Sequence, residues 1–147
     1  MTIYKRRMLT RLLRPRADAV YVLLRVAFGL LFTFHGAQKL FGLFGGHQPP
    51  VGSQLWIGAV IEVACGLAVA LGLWTSWAAL LASGTMAVAY TQFHWRLQLG
   101  ANLLPAVNKG ELAVLYALVF LYIAFRGGGP WSLDALRGER ARVAGSG

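Results

Sequence analysis

A single carboxylate, Glu62, lies inside an apolar stretch of twenty residues, LWIGAVIEVACGLAVALGLW, at positions 55–74. A segment of about 20 residues at 1.5 Å rise per residue is long enough to cross a bilayer. An isolated carboxylate in hydrocarbon is costly, whereas a basic partner or several hydrogen bonds can keep it charged. His35 is nearest to it in depth, and Lys39 or Arg25 could reach it through longer side chains. The sequence leaves all three partners open.

Helical spacing places Glu62 on a face of small residues, between Gly58 and Gly66. Residues four apart share a helix face, and small residues let a neighbouring helix approach closely. We therefore expect a helix to pack against this face and Glu62 to point into the bundle. The preceding apolar segment has a matching face with spacings of three and four, formed by Arg25, Gly29, Phe32, Gly36 and Lys39.

Other ionisable side chains fall at similar depths on neighbouring segments. At 1.5 Å per residue, Lys39, His94 and Glu111 lie about 10–14 Å above the expected midplane, and His35 and Glu62 about 3–6 Å above it. The polar groups therefore converge on the outer half of the predicted membrane region.

The composition is that of a membrane protein. Of 147 residues, 57% are hydrophobic and 13% charged, and the mean hydropathy is +0.58, whereas a soluble domain is roughly one-quarter charged. The apolar runs and the Gly- and Pro-rich breaks between them predict an all-α fold, an integral-membrane four-helix transmembrane bundle. The predicted spans are 19–41, 55–73, 77–95 and 111–126.

The basic residues are concentrated at the two ends of the chain. The formal net charge is +9, with six of the fourteen Lys and Arg residues in the first sixteen positions and four from Arg126 onward. This distribution predicts that both termini are cytoplasmic in a multi-pass protein of a bacterial-type inner membrane, with the lipid bilayer rather than nucleic acid as partner. A cleaved signal peptide is disfavoured because the first apolar run is too long and contains Arg25. We expect a basic segment at 1–18, one domain at 19–136 and a polar flexible tail at 137–147.

Several kinds of chemistry lack their sequence signatures. Cys65 is the single cysteine, so we expect no disulfide and no cysteine-ligated cofactor. The sequence has no P-loop, no dinucleotide-binding glycine fingerprint, no G-x-S-x-G elbow and no H-E-x-x-H zinc motif.

The order of the polar residues along the chain resembles the DoxX family of small four-helix membrane proteins. The resemblance covers residues 20–136 and is carried by LLRVAFGLLFTFHGAQKLFG (23–42), IGAVIEVACGLAVALGLWT (57–75) and NKGELAVLYALVFLYIAFRGGGPWSLD (108–134). Some DoxX-like proteins are linked to quinone-coupled or oxidative-stress redox chemistry. The resemblance therefore implies a helical membrane fold and leaves the enzymatic status open.

Three functions follow as alternatives. The first is a quinone-linked membrane redox component, such as a subunit of a membrane oxidoreductase with a membrane or soluble redox partner. The second is a non-enzymatic membrane partner, assembly factor or small-substrate carrier, with a homo-oligomer as one arrangement. The third is a metal or haem site on His35 and His94, although lone histidines at helix ends are more often hydrogen-bonded than ligands, so no metal is expected.

For the quinone hypothesis, we expect a pocket between helices with aromatic walls and a polar head. The expected walls are Phe32, Phe34, Trp56, Phe93 and Trp95. The candidate catalytic residues are Glu62, His35 and Lys39. The candidate ligand-binding residues are Arg25, His94, Glu111, Asn108 and Trp95. For Lys39, His94 and Trp95, anchoring at the membrane interface is a competing interpretation.

Overall fold

The computed structural model describes the backbone of residues 13–144 and the side chains of residues 13–138. The predicted basic segment at 1–18 therefore lies outside the described residues for positions 1–12, as does the end of the predicted tail at 145–147. The described residues are helical or connecting, and they contain no strand. The all-α prediction is confirmed.

Four long helices follow one another along the chain. They are α1 (Ala17–Phe41), α2 (Gln54–Leu71), α3 (Thr75–Ala89) and α4 (Glu111–Arg126). A π-helix, Tyr90–Trp95, extends α3, and a single-turn helix, Pro105–Asn108, precedes α4. These bounds agree with the predicted spans to within about two residues, once the π-helix is counted with α3.

The chain after α4 is more regular than expected. A fifth helix, α5 (Leu133–Ala144), runs across position 137, where the sequence predicted the start of a polar flexible tail. That prediction used the Arg- and Gly-rich composition, which favours a solvated segment but does not prevent a short helix.

Local residues explain where α2 begins and ends. The Ser53 side chain accepts a hydrogen bond from the backbone N–H of Trp56 at 3.3 Å, which caps the helix N-terminus. Gly72 closes the helix with φ 70°, in the left-handed region that glycine adopts without strain. Because α3 starts at Thr75, α2 and α3 are joined by a very short turn.

Helices α1 and α2 form a tight antiparallel pair through facing glycines. A Cβ on Gly29 would lie 2.6 Å from the backbone nitrogen of Ala70, and one on Gly66 would lie 2.7 Å from the carbonyl oxygen of Gly29. A Cβ on Gly36 would lie 2.7 Å from the carbonyl oxygen of Ala59. Only glycine permits this backbone approach, which increases van der Waals contact where lipid removes the usual hydrophobic driving force.

Helices α3 and α4 form the second antiparallel pair. The Ser83 hydroxyl donates to the Ala117 carbonyl at 2.8 Å, and a Cβ on Gly110 would lie 2.7 Å from the Tyr90 ring. The groove that separates α2 from α3 lies between these two helical pairs, and α2 and α3 contact each other less extensively than the members of either pair.

The start of α1 and the end of α4 meet at one end of the molecule. Arg126 forms an ion pair with Asp18 at 2.5 Å, and its guanidinium lies 4.3 Å from the centre of the Tyr21 ring. The Tyr21 hydroxyl donates to the carbonyl of Gly127. These contacts close the helical assembly between its first and last long helices.

Asp134 holds the turn between α2 and α3. Its carboxylate accepts hydrogen bonds from the backbone N–H groups of Trp74 and Thr75, both at 2.8 Å, and from the Thr75 hydroxyl at 2.7 Å. Partial burial alone would raise the pKa of Asp134, but these hydrogen bonds outweigh that effect, so the pKa lies below its ordinary value of 3.8. The first turn of α5 thus caps the N-terminus of α3.

The core is aromatic and lies where α1 meets α4. The ring centres of Phe32 and Phe120 are 4.8 Å apart, and those of Tyr116 and Phe120 are 5.7 Å apart. Phe32 and Phe120 are fully buried, and Tyr116 is nearly so. Val69, Ala79, Ala82 and Ile123 are also buried in the interior.

The outer surface is apolar, unlike that of a soluble protein. Large exposed side chains on all four long helices include Leu23, Leu31, Phe34, Leu71, Leu81, Leu118 and Phe125. Two helical segments, Arg14–Phe41 and α2, are long and apolar enough to cross a membrane, whereas α3 and α4 have 15 and 16 residues.

Candidate ligand-binding site

A cavity of about 900 Å³ lies between α2 and α3 and reaches into the interior. Along α3 its lining runs from Trp77 to His94, about 25 Å at 1.5 Å per residue. Apolar side chains form most of the lining, and the polar ones are concentrated where α1 ends and α4 begins. The polar and ionisable lining residues near this end are His35, Lys39, Gln54, Glu62, His94, Lys109 and Tyr116.

An ion pair between Lys39 and Glu62 forms the centre of this polar end. Lys39 Nζ donates to Glu62 Oε1 at 2.5 Å, and the side chains are 36% and 3% exposed. Lys39 is therefore the partner of Glu62, from the three that the sequence left open. The second carboxylate oxygen, Glu62 Oε2, is enclosed and has no hydrogen-bond partner among residues 13–138. Because a buried polar atom without a partner is costly, this oxygen is the most unusual atom of the site.

His35 and Tyr116 lie beside the ion pair in the same cavity. Their rings meet edge to face with centres 5.8 Å apart, and both residues line the cavity with Glu62. Within the described part of the chain, neither the Tyr116 hydroxyl nor the His35 ring forms a hydrogen bond. Three groups that could bind a polar ligand therefore converge at one level of the cavity.

Two glycines widen the cavity on its facing walls. Gly58 on α2 and Gly84 on α3 both line it, and a Cβ on either would meet no atom of the described residues within 4 Å. The expectation that a helix packs closely against Gly58 is wrong, because α1 approaches the α2 backbone at Ala59, Val63 and Gly66 and not at Gly58. The absence of side chains at Gly58 and Gly84 leaves room for a ligand.

The π-helix brings His94 to the cavity. Its Nδ1 lies 3.3 Å from the carbonyl oxygen of Asn108. The Asn108 side chain in turn donates to the carbonyl of Asn102 at 2.9 Å and accepts from the N–H of Gly110 at 2.8 Å. When Nδ1 carries the proton, this carbonyl fixes the ring and leaves Nε2 as an acceptor. π-Helical turns often occur where a side chain must be redirected at a functional site.

Comparison with known proteins places the chain in a family. The DoxX family model matches residues 20–95. A protein of Haemophilus influenzae, described as an uncharacterized protein, is 36% identical over 115 residues, which cover 76% of this chain and 85% of that relative. The chain belongs to the DoxX family. No solved structure matches it. Family membership and the two long apolar helices make this DoxX protein membrane-associated.

The predicted catalytic residues of the DoxX chain lie together, and the predicted ligand-binding residues do not. Glu62 is buried, as expected, and lines the cavity with His35 and Lys39. Of the ligand-binding candidates, His94 lines the cavity. Arg25, Glu111, Asn108 and Trp95 do not.

The remaining candidates have other surroundings. Arg25 is 1% exposed, donates to the Trp131 carbonyl at 3.1 Å and packs against Gly72, so it joins α1 to the far end of α2. Glu111 is exposed in the first turn of α4, and Trp95 donates to the Gln98 carbonyl at 2.7 Å. Asn108 organises the loop behind His94 rather than lining the cavity.

The expected aromatic walls are present only in part. Phe32 and Phe93 line the cavity, whereas Phe34, Trp56 and Trp95 do not. His35 and His94 both line it, but the described residues contain no group of three or more His, Cys, Asp or Glu side chains that could hold a metal ion.

Sequence reasoning missed Tyr116. The residue follows Ala113 and precedes Phe120 and Ile123 on the buried face of α4. A buried tyrosine usually needs a partner for its hydroxyl, so its position on this apolar face was the available signal. Lys109 and Gln54, at the polar end of the cavity, were missed because both lie in the connections that flank the predicted spans.

Proposed function

We propose that this DoxX protein is a four-pass inner-membrane protein that binds a quinone-type amphipathic molecule in the cavity between α2 and α3, as a membrane component of a redox system. The head group lies against Lys39, Glu62 and Tyr116, and the apolar tail follows the groove along α3. The observation that carries this proposal is the Lys39–Glu62 pair at the polar end of a long apolar cavity, with a buried glutamate whose second oxygen has no partner among the described residues.

Helix length and charge support the four-pass topology. The 21 residues of 75–95 span about 31 Å and the 16 residues of α4 about 24 Å, close to the roughly 30 Å of a bilayer core. The contact of Asp18 with Arg126 joins the start of α1 to the end of α4, as an even number of crossings requires. The basic residues near both termini favour a cytoplasmic location for that end.

The cavity fits a quinone in size and in hydrogen-bonding groups. Small-molecule sites are typically about 300–1,000 Å³, mostly apolar, with a few polar groups that fix orientation. Lys39 Nζ and the Tyr116 hydroxyl can donate to ring oxygens, and Glu62 Oε2 and His35 can accept a proton. A bound quinone would supply the electron-transfer chemistry that amino-acid side chains lack.

The decisive experiment identifies what the protein binds. The wild-type protein and Gly84→Leu are purified from membranes in mild detergent, and their bound small molecules are extracted and identified by mass spectrometry. We expect a quinone with the wild type and a loss of at least about tenfold in Gly84→Leu, because the leucine fills the groove. Ala87→Leu is the matched control, since Ala87 is exposed on the same helix and does not line the cavity.

Absence of a quinone from the wild type, or equal amounts in both variants, would contradict the proposal. Recovery of a protein partner with wild type and Gly84→Leu alike, without any bound quinone, would instead support the non-enzymatic alternative. In that case the ion pair would serve to fix α1 against α2.

A further inference from the structure

We infer that Glu62 and Tyr116 together recognise a hydroxyl group, so that the cavity binds the reduced, hydroxyl-bearing form of an aromatic head group in preference to its carbonyl form. This inference rests on the proposed function for the location of the ligand. It adds the chemical form of the head group and assigns a ligand-binding role to Tyr116.

The two carboxylate oxygens of Glu62 differ in their hydrogen bonding. Oε1 receives the Lys39 ammonium at 2.5 Å, which stabilises the ionised carboxylate. An ionised carboxylate only accepts hydrogen bonds, so Oε2 requires a donor. The oxygen is enclosed in this conformation, but the last torsion of a glutamate side chain is broad and two-fold. Glu62 lines the cavity, so we expect a small adjustment of this side chain to give a ligand donor access to Oε2.

Tyr116 is held in place by neighbouring aromatic rings. Its ring is fixed by Phe32 at 5.5 Å, Phe120 at 5.7 Å and Phe28 at 5.5 Å between ring centres. Tyr116 lines the same cavity as Glu62, and its hydroxyl has no hydrogen-bond partner within the described residues. A phenolic hydroxyl can both donate and accept. It can therefore donate a hydrogen bond to a ligand oxygen, which the ionised Glu62 carboxylate cannot do.

A ligand hydroxyl satisfies both residues at once. It donates to Glu62 Oε2 and accepts from the Tyr116 hydroxyl, whereas a carbonyl oxygen can only accept and would place a second acceptor against the carboxylate. A site built around buried hydrogen-bonding groups rejects an analogue that cannot pair with them. Hydrogen bonds to a charged group are also stronger than those between neutral groups.

The test uses a matched pair of amphiphiles that undergo no redox chemistry. Binding of 4-nonylphenol and of its O-methyl ether to the purified protein is measured by calorimetric titration in detergent micelles. We expect the phenol to bind at least about tenfold more tightly to the wild type, since one hydrogen bond to a charged group contributes about 1.5–3 kcal/mol. A short-chain quinol and the quinone formed by its oxidation are compared in the same way under anaerobic conditions, with the same expected preference.

Variants separate the two residues. Tyr116→Phe removes the hydroxyl and keeps the ring, so phenol affinity falls several-fold, and ether affinity falls by no more than that because the ether oxygen can also accept from Tyr116. Glu62→Gln provides an amide that can also donate, so the preference for the quinol over the quinone falls at least about fivefold. Glu111→Gln, an exposed carboxylate outside the cavity, leaves both preferences unchanged. Thermal unfolding of each variant verifies folding, and the wild-type and Tyr116→Phe comparisons remain decisive if Glu62→Gln does not fold.

The outcomes distinguish the inference from the proposed function. Equal binding of phenol and ether by the wild type, or binding of neither, overturns the inference, although a quinone that co-purifies would still support the proposed function. A clear preference for the phenol, together with no co-purified quinone and no binding of the short-chain quinol, supports recognition of a hydroxyl-headed amphiphile and overturns the quinone proposal.

Discussion

Lys39 and Glu62 have unequal access to solvent, and this inequality decides what each contributes to stability. The lysine is 36% exposed and the glutamate 3%. A lysine that loses its partner can turn its ammonium outward along its flexible stem. A glutamate that loses its partner stays buried with an uncompensated charge, which costs several kcal/mol.

We therefore predict that Lys39→Met destabilises the protein more than Glu62→Gln does. Breaking a buried pair in this direction costs about 3 kcal/mol, and the measurement is the free energy of unfolding in mixed micelles. The double variant Lys39→Met/Glu62→Gln should recover most of the loss, because it leaves no unpaired charge. Equal effects of the two single variants would show that Glu62 reaches solvent without Lys39.

At this scale the sequence predicted which residue would be unusual but not its partner. The position of Glu62 in an apolar stretch was sufficient to place it inside the bundle. Its partner depends on side-chain conformation, which a depth estimated from a rise of about 1.5 Å per residue does not determine. Tyr116 was missed for a different reason, since tyrosine is common on apolar helix faces and carries no formal charge.

Among the helices, α5 contacts the start of α3, through residues 59 and 60 positions apart in the chain. Asp134, at the start of α5, accepts three hydrogen bonds from Trp74 and Thr75. Trp74 has φ 45°, an unfavourable conformation for a residue with a side chain. The carboxylate therefore stabilises a turn that α2 and α3 alone would not hold, and α3 lines the cavity.

We predict that Asp134→Asn lowers stability by about 1 kcal/mol, the usual contribution of a helix cap, and that this loss depends on pH. The pKa of Asp134 is lowered on folding, so its contribution is fully present above the unfolded value of 3.8 and is lost as the pH falls through the folded value. The difference in Tm between wild type and Asp134→Asn should therefore shrink below about pH 3.8. A difference that stays constant from pH 7 to pH 3 would contradict this origin.

The helices were largely predictable from sequence because each is a long apolar run ended by Gly, Pro or polar residues. Two features were not. The π-helix at Tyr90–Trp95 continues an apolar run whose sequence does not distinguish it from an α-helix. The fifth helix was masked by an Arg- and Gly-rich composition, and its role depends on a contact between residues 59 and 60 positions apart.

In the molecule as a whole, the polar and ionisable groups discussed above lie toward two opposite ends. The Lys39–Glu62 pair and His94 lie toward one end, and Arg126, Asp18 and Arg25 toward the other. In a bilayer the second end would face the basic, cytoplasmic side. The cavity would then place its polar end toward the outer leaflet.

We predict that single cysteines introduced in a Cys65→Ser background report this orientation. His47→Cys, in the exposed loop between α1 and α2, should react with a membrane-impermeant maleimide in intact spheroplasts. Arg137→Cys, exposed in α5, should react only after the membrane is permeabilised. The reverse pattern, or labelling of both positions in intact spheroplasts, would contradict four crossings with cytoplasmic termini.

The glycines of the long helices differ in what restricts their natural variation. Gly29, Gly36 and Gly66 are required by neighbouring backbone, so any homologue with the same pairing must keep them small to fold. In the part of the chain that the structure describes, no neighbouring atom imposes that requirement at Gly58 or Gly84. If homologues retain glycine at those two sites, the selection responsible acts on a molecule that passes between α2 and α3. Glycine at both sites would then indicate the same passage in homologues whose chemistry has not been assayed.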